Sequence, residues 1–228
     1  MIHVVIFILM FSVALLVTAC DEDSPTKPSD NYGVVAGTVF APGKSVLPGV
    51  SVSIGNHSTI TNNDGKFIIS GVSPSSRVLV NFAISGRTSS QKVVSVTKGN
   101  TTYISTTLFP IYAANFSAVS PISIDSGIHI EIPASAFETS AGTPFTGTVR
   151  AEVHYFDPTL PECLDAFPGS FSGIRTDGST MMFESYGFVS ASFCDALNPD
   201  QILSLAEGKE AELTAPIPYA LQADAPPP

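Results

Sequence analysis

The chain has 228 residues, with 20 Asp and Glu against 10 Lys and Arg and a formal charge of −10. That balance excludes the broad basic surface through which nucleic-acid binders release counterions, so no nucleic-acid partner is expected. At 44% apolar residues the chain can build a core, and its 17 Gly and 18 Pro fall short of a low-complexity composition, which excludes wholesale disorder. There is no Trp, and the 15 Phe point to core filling and not to a Trp-based ligand platform.

Residues Met1 to Ala19 contain no Lys, Arg, Asp or Glu and are almost continuously apolar from Val4 to Val17. A membrane-spanning helix needs about 20 apolar residues, so this run is nearer the apolar region of a signal peptide. It ends in Val17-Thr18-Ala19-Cys20, which resembles the lipobox of bacterial lipoproteins, although His3 is the one candidate for a positive n-region. The resemblance implies that residues 1–19 are a lipoprotein signal peptide and that Cys20 is the lipidation site. The membrane is then a partner through acyl chains on Cys20. The address is the bacterial cell envelope, at the outer membrane and facing either the periplasm or the exterior. Residues 20–32 are acidic and contain Pro, the composition of a flexible tether. Their acidic start also resembles the surface-export signals of Bacteroidetes lipoproteins.

From Gly33 to Pro110 short β-branched runs alternate with turn residues. Val34 to Phe40, Val50 to Ile54, Lys66 to Ile69, Val78 to Phe82, Lys92 to Val96 and Thr102 to Leu108 each predict a strand. Pro48-Gly49 predicts the turn before the second of these. The tight run Asn62-Asn63-Asp64-Gly65 predicts a hairpin, with Asp64 and Gly65 in the left-handed positions. Gly37-Thr38-Val39, Leu47 to Val52 and Thr61 to Phe67 together resemble the carboxypeptidase regulatory-like domain. That resemblance implies a seven-stranded transthyretin-like β-sandwich over 33–110 with Asn63, Asp64 and Gly65 as its turn motif, and it implies no peptidase activity.

Residues 111–217 continue as β structure and predict a second β-sandwich-like domain, so the fold class is all-β. Ile128 to Ile132, Gly147 to Phe156, Tyr186 to Phe193 and Lys209 to Thr214 read as strands. In the longest of these, Arg150, Glu152 and His154 share one face, and Val149, Ala151, Val153 and Tyr155 share the other. Asp200 to Leu205 is the one helix candidate. Ile132-Pro133-Ala134, Phe145 to Val149, Phe156-Asp157-Pro158, Phe167 to Phe171, Glu184 to Gly187 and Leu205 to Lys209 resemble the β-rich region of cartilage intermediate layer protein and similar bacterial surface proteins. That resemblance implies an extracellular structural or interaction role. It also leads us to read the Pro-rich 218–228 as a point beyond which the protein continues.

No motif for catalysis is found, so no catalytic residue is assigned. His57, His129 and His154 lack the His-x-x-Glu spacing of a zinc peptidase, and no nucleophile elbow, phosphate loop or dinucleotide motif occurs. No cofactor and no metal site is predicted. His129 with Glu131 and His154 with Glu152 read as solvated strand faces before they read as ligands. Calcium at Asp157, Glu162, Asp165 and Asp177 has no loop spacing behind it. Phe156, Phe167, Phe171 and Tyr186 read as core or loop anchors. Cys163 and Cys194 either form a disulfide, as an oxidising compartment favours, or stand as two separate thiols.

The functional reading is a membrane-anchored envelope lipoprotein acting as a non-catalytic binding or structural module, with a glycan or a protein as ligand. The alternatives are accessory domains of a surface enzyme whose catalytic part lies past residue 228, and a glycan-binding receptor. The charge is also unevenly placed. Residues 33–108 carry six Lys or Arg and one carboxylate, Asp64, whereas residues 109–228 carry 15 carboxylates and three Lys or Arg. Opposite signs of this kind favour docking of one module on the other.

Overall fold

A computed structural model describes residues 31–166, 172–182 and 185–223. The apolar run, Cys20 and the tether as far as Asp30 lie outside the described residues. So do Phe167, Phe171, Glu184 and the last five positions.

The first module contains β1 (Gly33–Ala41), β2 (Ser45–Val46), β3 (Ser51–Ile54), β4 (His57–Ile60), β5 (Lys66–Val72), β6 (Ser75–Ala83), β7 (Ser90–Val96) and β8 (Thr101–Thr107). One sheet places β1 between β5 and β8, with the short β2 on the end of β1; the other runs β4-β3-β6-β7. The inward residues form one core that includes Val35, Val39, Val52, Phe67, Val80 and Phe82. Alternation explains this directly, because each strand sends every second side chain to the same face. The module therefore has eight strands where seven were expected. The two that are not among the six runs read from the sequence are the two-residue β2 and the four-residue β4, whose His57-Ser58-Thr59-Ile60 has no buried residue and so carries no hydrophobic period.

β1 pairs antiparallel with β5 and parallel with β8. The parallel approach requires glycine at position 37, where an added Cβ would lie 1.8 Å from the Ile104 carbonyl oxygen. The expected hairpin at 62–65 is instead a crossing between sheets, since β4 and β5 lie in different sheets. Asn62 organises it: its Oδ1 accepts from the Asp64 and Lys66 backbone N–H groups at 3.0 and 2.9 Å. Gly65 alone of the proposed pair has a positive φ, +70°; Asp64 does not. A Cβ on Gly65 would meet the Val39 carbonyl at 2.7 Å, so the turn packs against β1 and leaves no room there.

The second module contains β9 (Tyr112–Ser117), β10 (Ile122–Asp125), β11 (His129–Ile132), β12 (Phe137–Thr139), β13 (Thr148–Phe156), α1 (Pro161–Asp165), β14 (Ser172–Ile174), β15 (Thr180–Met182), β16 (Phe188–Asp195), β17 (Leu203–Leu205) and β18 (Glu212–Thr214). The sheets β9-β13-β16 and β10-β11-β18 face one another across a core of Ile122, Ile124, Ile130 and Ile132 against Val149, Ala151 and Val153. Asp200 to Leu205 is not a helix. Leu203 is buried in that core, and β17 pairs with β12 over Leu203 to Leu205, so tertiary burial selects a strand. The helix lies instead at Pro161–Asp165, opened by Pro at its first position.

Phe82 is fully buried and packs edge-on to Phe67 at 5.6 Å between ring centroids. Phe82→Ala is expected to cost about 3–5 kcal/mol in chemical denaturation. Ile60→Ala, at a residue 67% exposed on β4, should change stability by no more than about 0.5 kcal/mol.

Candidate functional site

The two cysteines are separate free thiols, both buried. Cys163 sits on α1 and packs with Phe109, Phe156 and Ala166. Cys194 sits on β16 opposite Arg150 of β13. Arg150 and Phe156 are six residues apart on one strand, about 20 Å at the strand rise. Bridging needs Cα atoms within about 7 Å. The disulfide alternative is therefore not taken. Burial pushes both thiols up, away from the thiolate that nucleophilic chemistry requires.

The acidic residues considered for calcium do not converge. Asp157 accepts from the backbone N–H and hydroxyl of Thr159, and Asp177 does the same with Ser179. Glu162 and Asp165 are turned to the first module. Among the described residues no group of three His, Cys, Asp or Glu is arranged to hold a metal ion.

The histidines of the second module have opposite surroundings. His129 lies on the solvated face of β11, its Nδ1 2.7 Å from Asp125 Oδ1 and its Nε2 3.1 Å from Glu131 Oε1. Those two carboxylates hold its pKa above the ordinary imidazole value. His154 does not lie on a solvated face. Its ring stands 5.0 Å from Phe109 and 4.5 Å from Phe156, and its Nε2 is buried with no hydrogen-bond partner. Burial dominates and pushes the pKa down, against the opposing pull of the Pro110 backbone. Phe156 in turn stacks on Phe188 at 4.3 Å.

His154 thus marks the junction of the two modules. The segment between them is pinned: the Phe109 backbone N–H donates to Thr88 Oγ1, and the Thr88 N–H donates to the Phe109 carbonyl. Arg87 Nη1 donates to the Leu108 carbonyl at 3.0 Å. From the other side, α1 reaches back to the first module. Glu162 Oε2 accepts from the Gly43 N–H at 3.0 Å, and Lys92 contacts the Asp165 carboxylate at 3.8 Å and donates to its carbonyl. Lys92 is only 16% exposed, and this desolvation pulls its pKa down against the opposing pull of Asp165. Opposite charges do meet at the junction, as the charge partition suggested. A partly exposed ion pair contributes at most about 1 kcal/mol, whereas burying one Phe contributes about 1.5–3 kcal/mol, so the apolar cluster is the larger contribution.

A second feature, absent from the sequence expectations, is a groove of about 610 Å³ on the first module. β3 pairs with β6 only over Ser51 to Ser53, opposite Ala83 to Asn81. Beyond Asn81 the β3–β4 turn at Gly55-Asn56 diverges from β6, and the gap is floored by Val72 and Val78. Its polar lining is Asn56, His57, Ser73, Ser75, Arg77 and Asn81. His57 is seated over Gly71, where an added Cβ would lie 3.6 Å from its Cε1. The signal available in the sequence was weak: Ser75, Arg77, Leu79 and Asn81 are the outward positions of one strand.

Comparison with known proteins bears on the first module. Residues 34–109 match the sequence profile of the Carboxypeptidase regulatory-like domain. Domains of this type are non-catalytic regulatory modules. The chain is also similar to cartilage intermediate layer protein 1, at 31% identity over 78 residues in Mus musculus and 33% over 66 residues in Sus scrofa. Those stretches cover 34% and 29% of this chain, and only 7% and 11% of the two relatives. Among solved structures, a type II cohesin–X–dockerin complex of Acetivibrio cellulolyticus covers 34% of this chain and 58% of its own at 17% identity and TM-score 0.30. A DUF3823 family protein from Bacteroides uniformis covers 81% of this chain and 100% of its own at 10% identity and TM-score 0.25. Scores this low carry no argument about architecture or partners.

The two histidines should titrate in opposite directions from 6.5 in an NMR pH series, His129 above it and His154 below. The signs for stability follow. His129, raised in the folded state, stabilises fully below the unfolded value and loses that contribution as pH rises through the folded one. His154, lowered in the folded state, leaves the fold less stable as pH falls below 6.5. His154→Phe should flatten the acid side of the stability profile and leave the His129 titration unchanged.

Proposed function

We propose that this chain is a lipid-anchored protein of the bacterial cell envelope, its β modules serving as a non-catalytic binding or structural unit held off the membrane by the 20–32 tether. The observation that carries the anchoring is Val17-Thr18-Ala19-Cys20 at the end of a charge-free apolar run, followed at once by Asp21, Glu22 and Asp23. Acyl chains on Cys20 would supply stable attachment without a spanning segment. Among the described residues no helix is long and apolar enough to cross a membrane.

The reading as a binding or structural unit draws support from the match over 34–109. It draws further support from the pinned junction, which holds α1 and β13 against the first module and so presents two β modules as one surface. The buried, raised thiols and the dispersed carboxylates offer no nucleophile poised beside a base.

Cys20→Ala is expected to abolish fatty-acid labelling in the native host and to move the protein from the membrane fraction to the soluble one. Labelling that persists in the variant would overturn the lipid anchor.

A further inference from the structure

We infer that the groove between the β3–β4 turn and β6 binds a carboxylate-bearing oligosaccharide, with Arg77 taking the carboxylate. This rests on reading the β modules as a binding unit, and it is independent of the lipid anchor.

The backbone that carries the groove's cation is held in place, and its side chain is left available. Pairing of β6 with β7 slips between Ser75 and Val78, so Ser76 and Arg77 lie at a bulge. Ser75 Oγ accepts from the Arg77 backbone N–H at 3.2 Å and lies 3.3 Å from the Arg77 carbonyl, which fixes the backbone there. The Arg77 side chain is exposed and has no carboxylate partner among the described residues. No carboxylate lines the groove, and Asp64, the one acid of residues 33–108, lies in the turn beyond the far end of β4. The other two basic side chains of this module near the second are committed, Arg87 to the Leu108 carbonyl and Lys92 to Asp165. A planar guanidinium with open donors matches a carboxylate in a two-point contact.

The rest of the lining matches a sugar better than a peptide or a base. Asn56, Asn81 and Ser73 offer donors and acceptors suited to hydroxyl groups, and the exposed Leu79 offers an apolar contact for the C–H face of a ring. The cavity of about 610 Å³ lies within the usual range of small-ligand sites. No Phe or Tyr side chain lines it, and its one ring, His57, is seated over Gly71, so a nucleobase has no broad platform to stack on. An extended acidic peptide would draw its affinity from a long free strand edge. β6 offers only the short stretch before Asn81, where pairing with β3 begins.

The test is calorimetric titration of the full chain in mild detergent with oligogalacturonate, the neutral oligogalactoside of equal length, and a poly-Glu peptide. Oligogalacturonate should bind, and rising salt should weaken it. Arg77→Ala should reduce the affinity about tenfold or more. Asn81→Ala should reduce it less. Lys66→Ala, which removes the same charge from the module outside the groove, should leave affinity within about twofold, as expected for a screened distant charge. No binding of oligogalacturonate overturns the assignment, as does an equal loss in the Arg77 and Lys66 variants. Equal binding of the neutral oligogalactoside, or binding of poly-Glu alone, also overturns it while leaving the reading as a binding unit intact.

Discussion

The second module is placed by one aromatic residue that belongs, by its backbone, to the first. Phe109 exchanges two hydrogen bonds with Thr88, so its main chain is an extension of the first sandwich. Its ring is buried among Phe156, His154, Cys163 and Ala166 of the second. Because the backbone groups are satisfied on one side and the ring is desolvated on the other, neither module can move off without exposing it. α1 follows from this: it is too short to persist alone, and its Cys163 and Ala166 survive by packing on the same cluster. The polar contacts of Glu162 and Asp165 then set the orientation, with the apolar cluster supplying most of the free energy.

The same cluster explains why a histidine occupies a position whose ring is held neutral. A Phe at 154 would serve the packing alone; His adds a polar edge that faces the backbone of Pro110, which bridges to Arg87. His154 supplies an aromatic face and an N–H together. The cost is the unpartnered Nε2, tolerable while it carries no proton and unfavourable once it does.

Legibility in the sequence followed hydrophobic period. β1, β3, β5, β6, β7, β8, β11, β13 and β16 all carry a run of alternating or continuous apolar residues, and each was readable to within a few positions. β2 and β4 were not, because Ser45-Val46 and His57 to Ile60 are exposed and are held by main-chain pairing alone. β17 was misread because Asp200 to Leu205 has a local pattern fit for a helix, and only the burial of Leu203 against β12 decides against it. The turn at 62–65 was recognised as a turn, yet its organising residue is Asn62, whose side chain replaces a ladder that two sheets cannot share. Site residues were less legible still. The solvated character assigned to His129 and His154 alike came from strand alternation, which cannot see that Phe109 would cover one of them from another module. The groove was invisible for the same reason: it exists because β3 ends its pairing with β6 early, a tertiary fact.

The uneven charge acquires a meaning from this geometry. On the second module the outward residues of β11 and β18 place Glu131 directly opposite Glu212, a like-charge pair that a sheet ordinarily avoids. His129, bonded to Glu131 and Asp125, is the nearest compensation, and it is a titrating one. On the first module Arg87 and Lys92 are taken up in closing the junction, so the surplus of positive charge that remains is presented outward, Arg77 in the groove and Lys66 beside the crossing turn. Self-neutralisation between the modules is therefore incomplete by construction. The junction consumes one ion pair, a few hydrogen bonds and the Phe109 cluster, which leaves a positive face and a negative face on one body. A soluble anionic chain approaching such a body is repelled by the second module and attracted by the first. Over distances beyond the roughly 8 Å screening length only local charge matters, so a cation framed by neutral amides and hydroxyls, with no acid alongside, is the part of the surface best suited to discriminate.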